Sequence, residues 1–126
     1  MGTDKTDLEL IQQTVQYYFD GLYHSDIEKL KSAFHPNAQV IGYFQGTLLF
    51  NSLEQFLGYV KATPAPSESG EINDMRIVSI DMTGNEAVAK VADLYLGFRF
   101  TDYLSLLKID GSWVIVNKTF YHEPKD

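Results

Sequence analysis

The chain has 126 residues, of which 44% are hydrophobic and 13% aromatic, enough for one folded domain over residues 1–126. Its formal net charge of −7 argues against a nucleic-acid partner or an anionic membrane, because phosphate binding needs clustered Lys and Arg. Cysteine is absent, which excludes disulfides, thiolate metal sites and a cysteine nucleophile. No apolar run is long enough to span a membrane, and the polar, acidic start lacks a signal-peptide core, so we expect a cytoplasmic protein.

The first half of the chain is predicted to be helical around one short hairpin. Apolar residues at helical spacing predict a first helix from Asp7 to Tyr23, and Pro36 is expected to end the second helix. Two short strands, 38–44 and 47–50, are predicted to form the hairpin around Gln45-Gly46. Three capping-box pairs mark the helix starts, namely Thr6 with Glu9, Ser25 with Glu28, and Ser52 with Gln55.

The second half changes to a period of two after the loop TPAPSESG. Alternation predicts four long strands separated by Gly-containing turns, over residues 72–82, 87–96, 100–109 and 113–121. Three helices with a hairpin, followed by this meander, predict an α+β domain. We expect a strongly curved, mostly antiparallel mixed sheet of six strands that wraps around the helices and leaves a cavity between them.

This order of elements, with the segments YYFDGLYHSDIEKLKSAFHPNAQVIGY and DGSWVIVNKTFYH, resembles the cone fold of the nuclear-transport-factor-2-like superfamily. Within it, the chain is most similar to the SnoaL-like and lumazine-binding-like branch. The resemblance implies helices packed on the concave face of the sheet and a homodimer formed through the convex face. It implies no single function, because the superfamily contains isomerases, dehydratases, cyclases, hydrolases and binding domains.

One residue in the segment VADLYLGFRF does not fit a core strand. Asp93 shares a face with Val91 and Tyr95, and a buried carboxylate without a partner is costly. Matching the hairpin NEAVAK and the turn KIDGSW to the superfamily places this face on the concave side, so we expect Asp93 to line an internal polar cavity. The residues predicted on that side are Asp93, Tyr95, Ser105, Asn117, Thr119 and Tyr121.

Ketosteroid isomerase, a member of the superfamily, needs a Tyr donor, a second acidic donor and a carboxylate base. The resemblance through HSDIEKLKSAF and NAQVI places Tyr18 on the oxyanion tyrosine. It places the base at Gly42, which has no side chain, and the second acidic donor near Ser105. Isomerisation by that mechanism is therefore not expected.

His35, in the segment FHPNA, has two interpretations: a structural junction whose ring bonds the backbone, or an acid or base at the cavity mouth. The three histidines show no metal-ligand spacing, so neither a metal site nor a cofactor is predicted. His122 is expected on the convex face.

Two functions of different classes are predicted, with a purely structural dimerisation domain left open as a third. The first is a binding domain for a small aromatic or polycyclic molecule. The second is a cofactor-independent lyase, isomerase or cyclase in which Asp93 or His35 moves a proton while Tyr18 polarises a carbonyl. The predicted ligand-binding residues are Tyr18, Tyr43, Phe56, Tyr59, Asp93, Tyr95, Tyr103, Ser105, Asn117, Thr119 and Tyr121.

A homodimer is predicted because a bare apolar row on the convex face would form a patch that monomers rarely tolerate. The row comprises Ala92, Leu94, Leu104, Leu106, Val116 and Phe120, with Lys90, Lys108 and Lys118 at its rim.

Overall fold

The computed structural model describes residues 5–125. Its helices are α1 (Asp7–His24), α2 (Ile27–Ala33), α3 (Leu53–Ala62) and the single turn α4 (Pro66–Ser69). Its strands are β1 (Phe34–Phe44), β2 (Thr47–Ser52), β3 (Met75–Thr83), β4 (Glu86–Tyr95), β5 (Phe98–Ile109) and β6 (Ser112–His122). Over residues 5–125, no helix has both the length and the apolar character that a membrane span requires.

Two of the three predicted helix caps are confirmed. The backbone N–H of Glu9 donates to the Thr6 hydroxyl while the Glu9 carboxylate accepts from the Thr6 N–H. Ser52 and Gln55 repeat this arrangement at the start of α3.

The predicted cap at Ser25 is wrong. Ser25 closes α1 in the left-handed region, with φ of 51°, and the neighbouring Asp26 caps α2 by accepting from the Lys29 N–H. The second helix ends at Ala33, before Pro36, which lies in β1 where the pairing with β6 is interrupted and no ladder hydrogen bond is lost.

The sheet confirms the predicted α+β class, with helices packed on six strands. The strand order is β2-β1-β6-β5-β4-β3, in which β1 and β6 are parallel and every other neighbouring pair is antiparallel. The sheet has β2 and β3 as its edges and is not closed. Helix α1 buries Ile11, Val15, Tyr18 and Leu22 against the concave face, which holds the apolar core.

The turn between β4 and β5 sets which face each residue of β5 occupies. Leu96 and Gly97 form a two-residue loop with positive φ at both positions, 53° and 84°, so Tyr95 pairs directly with Phe98. Val91 consequently lies opposite Asp102, and both side chains point to the concave face. The predicted concave position of Ser105 is therefore wrong, since Ser105 and Tyr103 project from the outer, convex face.

A β-bulge reverses the faces along the second half of β6. Leu106 of β5 pairs with Ile115, whereas Ser105, the residue before it, pairs with Asn117. Val116 is therefore an extra residue in β6. Side chains beyond the bulge occupy the opposite face from the one that strict alternation predicts. Asn117, Thr119 and Tyr121 accordingly lie on the outer face, and Lys118, Phe120 and His122 lie inside. These placements correct the predicted positions of all six residues.

Candidate functional site

A cavity of about 390 Å³ lies between the concave face of the sheet and helices α1 and α3. Its walls are mostly apolar. Its polar side chains come from β2, β4, β6, α3 and the residue that follows α3. The lining residues are Leu22, Val40, Phe44, Leu49, Asn51, Phe56, Tyr59, Val60, Thr63, Asp93, Tyr95, Leu96, Phe98, Phe100, Lys118 and Phe120. This composition suits an apolar molecule that carries a polar group.

An aromatic cluster forms the wall of the cavity on the side of β5. Phe44 lies edge-on to Phe98, with ring centroids 5.1 Å apart, and parallel to Phe100 at 6.3 Å. The His122 ring packs on the same cluster, and its Nε2 accepts a 2.9 Å hydrogen bond from the Gln45 N–H. The hydrogen bond from the β1–β2 turn thus fixes the orientation of the His122 ring.

Two carboxyl groups meet at the inner end of the cavity. Asp93 is 4% exposed and Asp102 is fully buried. Burial raises the pKa of Asp93 well above its ordinary value of 3.8, and the charge of Asp102 and a hydrogen bond between the two carboxyls raise it further. Lys118 opposes this shift. We call Asp93 and Asp102 the carboxyl pair.

The burial and closeness of the carboxyl pair favour one proton shared between its two groups. Two adjacent buried carboxylates cannot both ionise at neutral pH, because each destabilises the charge of the other. Among residues 5–125, Asp93 Oδ2 and Asp102 Oδ1 find no other hydrogen-bond partner, which a proton between them would supply. The raised pKa of Asp93 makes it the donor, and Asp102 accepts from Asp93 on one side and from Tyr18 on the other.

Tyr18 supports the carboxyl pair from behind the cavity wall. Its hydroxyl donates a 2.7 Å hydrogen bond to Asp102 Oδ2. Burial and the neighbouring Asp102 and Asp93 raise the pKa of Tyr18 well above 10.0, so the phenol stays protonated and remains a donor. Tyr18 does not line the cavity, so a direct contact with a ligand carbonyl, as the sequence predicted, is not available in this arrangement.

Lys118 is placed in the cavity by the bulge at Val116. It is 6% exposed, and its Nζ lies 4.7 Å from the centroid of the Phe56 ring and 5.0 Å from that of Tyr18. A third ring, Phe120, is 5.6 Å away. Within residues 5–125 no carboxylate oxygen lies within 4 Å of this nitrogen, although Lys118 is near enough to lower the pKa of Asp93.

Two more polar side chains face the cavity. The hydroxyl of Tyr95 is buried without a hydrogen-bond partner among the described residues. Burial raises the pKa of Tyr95. The side chain of Thr63 lowers this pKa, while the charges of Glu71 and Asp93 raise it further. Asn51, from β2, is buried and lines the opposite wall. Tyr95 and Asn51 are therefore available to a polar ligand group.

The structure brings four of the predicted ligand-binding residues to the cavity: Phe56, Tyr59, Asp93 and Tyr95. Asp93 occupies the concave position that its alternation in β4 predicts, but its partner is Asp102 rather than Asn117 or Tyr121. Tyr18 lies behind the wall. The predicted residues Tyr43, Tyr103, Ser105, Asn117, Thr119 and Tyr121 lie on the outer face and do not line the cavity.

Neither His35 nor Gly42 lines the cavity. His35 Nδ1 accepts a 3.0 Å hydrogen bond from the Asn37 N–H, a local contact at the start of β1. A Cβ at Gly42 would lie 2.6 Å from the backbone oxygen of Phe120, so this position has no room for a carboxylate. The acidic group beside Tyr18, predicted near Ser105, is supplied by Asp102.

Sequence reasoning missed Asp102, Lys118 and Asn51. Asp102 could have been found by treating Leu96-Gly97 as a two-residue turn, which fixes the register of β5. Lys118 had no comparable signal, because nothing in the segment SWVIVNKTF marks the bulge. No group of three or more His, Asp or Glu residues in the range 5–125 could hold a metal ion.

An open, curved six-stranded mixed sheet packed against helices, with buried polar groups in an internal cavity, defines a nuclear-transport-factor-2-like domain. The chain belongs to the family described as putative lumazine-binding, whose model matches residues 6–121.

Solved structures and one curated protein are similar over nearly the whole chain. A nuclear-transport-factor-2-like protein of unknown function from Methylobacillus flagellatus is 30% identical, with a TM-score of 0.83, and the match covers 97% of this chain and 96% of that one. One from Shewanella baltica is 26% identical, with a TM-score of 0.84 and coverage of 97% and 100%. Aldolase FrzH from Cladobotryum sp. is 24% identical over 123 residues, 95% of this chain and 94% of that protein.

Proposed function

We propose that the chain binds a flat aromatic or polycyclic molecule whose polar group contacts Asp93 and Lys118. The observation that carries this proposal is the cavity of about 390 Å³, in which apolar walls surround a small set of buried polar side chains. Aromatic rings of Phe56, Phe98 and Phe100 offer stacking surfaces. The family description supports the same class of ligand, since lumazine is a fused heteroaromatic bicycle with carbonyl and N–H groups.

The binding test is a fluorescence titration with lumazine and with 2-naphthol, an apolar bicycle bearing one hydroxyl. We expect binding of at least one of them. Asp93→Asn should weaken binding about 2- to 12-fold, corresponding to the loss of a hydrogen bond between neutral groups, roughly 0.5–1.5 kcal/mol. Asp81→Asn, on the exposed side of β3, is the matched control and should leave affinity unchanged. Equal affinities in Asp93→Asn and the unmodified chain would show that Asp93 is only structural.

A second candidate function is acid–base catalysis on the bound molecule. It is favoured by the carboxyl pair, which supplies a protonated group and a carboxylate beside the cavity. The similarity to a protein named as an aldolase supports this class, because aldol cleavage moves a proton from a hydroxyl group. Asp93 would be the acid or base, and Tyr18 would position it through Asp102.

The catalytic test uses a β-hydroxy ketone whose retro-aldol cleavage releases a fluorescent naphthaldehyde. A positioned acid or base typically contributes about 10²- to 10⁴-fold to the rate, so Asp93→Asn should lose that factor. Asp81→Asn should retain the full rate. A rate no greater than that of buffer alone would leave binding as the better-supported function.

We also propose a homodimer through the outer face of the sheet, with a different contact row from the one the sequence predicted. Leu104 and Leu106 are core residues and Phe120 lines the cavity, so none of the three is available to a partner. The outer face instead exposes large side chains on four adjacent strands, namely Tyr43, Leu48, Phe50, Tyr103 and Tyr121. A patch of this kind usually marks an interface.

The predicted rim of that interface changes as well. Lys118 lies inside the cavity, and Lys108 forms a 3.0 Å ion pair with Asp7. Lys90 remains on the outer face, where its Nζ lies 5.7 Å from the centroid of the Tyr103 ring.

A further inference from the structure

Lys118 combines burial with access to the cavity. It lies on the concave face between Val40 and Leu104, its neighbours on β1 and β5, and it lines the cavity. The rings of Tyr18, Phe56 and Phe120 surround the nitrogen at 4.7–5.6 Å from their centroids. These contacts fix the position of an amine that has no ion-pair partner in the described part of the chain.

A lysine that attacks a carbonyl must first give up its extra proton. The carboxyl pair can take that proton, because it carries one negative charge and its ionised carboxyl group can accept a second proton. Asp93 lines the same cavity as Lys118, whose charge lowers the pKa of Asp93. An amine and a proton acceptor are thus presented to the same bound molecule.

We propose that Lys118 forms an imine with an aldehyde or ketone held in the cavity, an inference that rests on the proposed ligand-binding function. The ammonium group of Lys118 transfers one proton to the carboxyl pair, and the neutral Nζ then bonds to the carbonyl carbon as the C=O π bond opens. A proton passes from nitrogen to oxygen to give a carbinolamine. The carboxyl pair returns its proton to the hydroxyl group, which leaves as water while the nitrogen lone pair forms the C=N bond.

The charge distribution suits the product of this sequence. The iminium carries one positive charge at the position that the ammonium group occupied, and the carboxyl pair again carries one negative charge. The three aromatic faces that contact Nζ stabilise a cation at that position. The apolar walls exclude bulk water, which would hydrolyse the imine.

The test is reductive trapping with 2-naphthaldehyde and sodium cyanoborohydride, followed by intact mass measurement and peptide mapping. We expect one reduced naphthylmethyl group per chain, located on Lys118 at least about tenfold in preference to any exposed lysine. Lys118→Met should abolish the label. Lys118→Arg, which keeps the positive charge and cannot form the imine, should also abolish it. Lys90→Met, on the outer face, should label as fully as the unmodified chain.

Naphthalene-2-methanol, which has the same rings and no carbonyl, separates the two levels of the proposal. If it binds and the aldehyde gives no adduct on Lys118, the imine is overturned while the binding function stands. A label spread over surface lysines according to their exposure would overturn the imine as well. If neither compound binds, the proposed function fails, and the inference about Lys118 fails with it.

Discussion

The hydroxyl of Tyr18 and the Oδ2 of Asp102 are 2.7 Å apart in the core, joining α1 to β5 across 84 residues of sequence. Both residues are fully buried, so neither group can turn to water. A buried carboxylate is tolerated only with hydrogen-bond partners, and Asp102 has Tyr18 on one side and the Asp93 proton on the other. The hydrogen bond therefore couples the packing of the first helix to the protonation of a cavity residue.

Tyr18→Phe tests that coupling. The substitution removes the donor and leaves a buried carboxylate oxygen unpaired, so the free energy of unfolding should fall by about 1.5–3 kcal/mol. Tyr17→Phe, one position away on α1, is the control, because its hydroxyl accepts only a partly buried hydrogen bond from Gln13. It should cost at most about 1 kcal/mol. Urea unfolding measures both variants, and equal losses would contradict the coupling.

The carboxyl pair also predicts how stability depends on pH. Because the pKa of Asp93 is higher in the folded chain than its ordinary 3.8, the folded chain keeps a proton that the unfolded chain releases. This contribution is fully present below about pH 4 and is lost as the pH rises from there to the raised pKa. Tyr18, Tyr95, Asp102 and Lys118 surround Asp93 and set how wide that interval is.

Asp93→Asn isolates the contribution. Its amide can donate to Asp102 as the protonated carboxyl does, but it cannot lose a proton. The variant should therefore gain stability relative to the unmodified chain as the pH rises above about 4. Denaturant unfolding between acid and neutral pH measures the difference in stability between the variant and the unmodified chain. The lowered pKa values of Asp7 and Glu9 affect both chains equally and therefore cancel in this difference. A difference that stays constant with pH would show that Asp93 is not protonated in the fold.

Most of the fold could be predicted from the sequence because its signals are local. Helical spacing and capping boxes locate α1 and α3, and the Gly-containing turns separate the strands of the meander. The position of Asp93 on the concave face follows from alternation in a strand without a bulge before it.

The rest of the site could not be predicted, because a register shift of one residue exchanges the two faces of a strand. The extra residue at Val116 brings Lys118 and Phe120 inside and turns Asn117 and Thr119 outward. A bulge is stabilised by packing between neighbouring strands, which leaves little trace in the strand itself. The error then extends to the predicted dimer row, since Phe120 was assigned to the outer face by the same alternation.

Gly42 packs so closely against Phe120, which lines the cavity, that a side chain at this position has no room. A methyl group there would lie 2.6 Å from the Phe120 backbone oxygen and 2.8 Å from its ring, so strand β1 or β6 would have to move. Gly42→Ala should cost about 1–3 kcal/mol of unfolding free energy. Gly58→Ala, within α3, has nothing within 4 Å of the added methyl and should stabilise the chain by about 0.5–1 kcal/mol. Thermal unfolding distinguishes the two, and equal effects would refute this account of Gly42.

We expect the outer face of the sheet to be the dimer interface. Tyr43 and Tyr103 lie on β1 and β5, on either side of β6, and Thr119 of β6 lies beside Tyr103. Both tyrosines are exposed, and Phe50 extends the surface onto β2, where 67% of that residue is accessible. Burying such aromatic side chains against a second copy removes apolar area from water at roughly 25 cal/mol per Å².

Light scattering at micromolar concentration should therefore give twice the 14.3 kDa mass of one chain. The double variant Tyr43→Glu with Tyr103→Glu should be monomeric, because each interface would contain four buried carboxylates related by the two-fold axis. Leu8→Glu, at an exposed position on α1, is the matched control and should remain dimeric. Circular dichroism establishes that the double variant is folded. A mass of 14.3 kDa for the unmodified chain, or a dimer that survives both substitutions, would show that the outer face is not the interface.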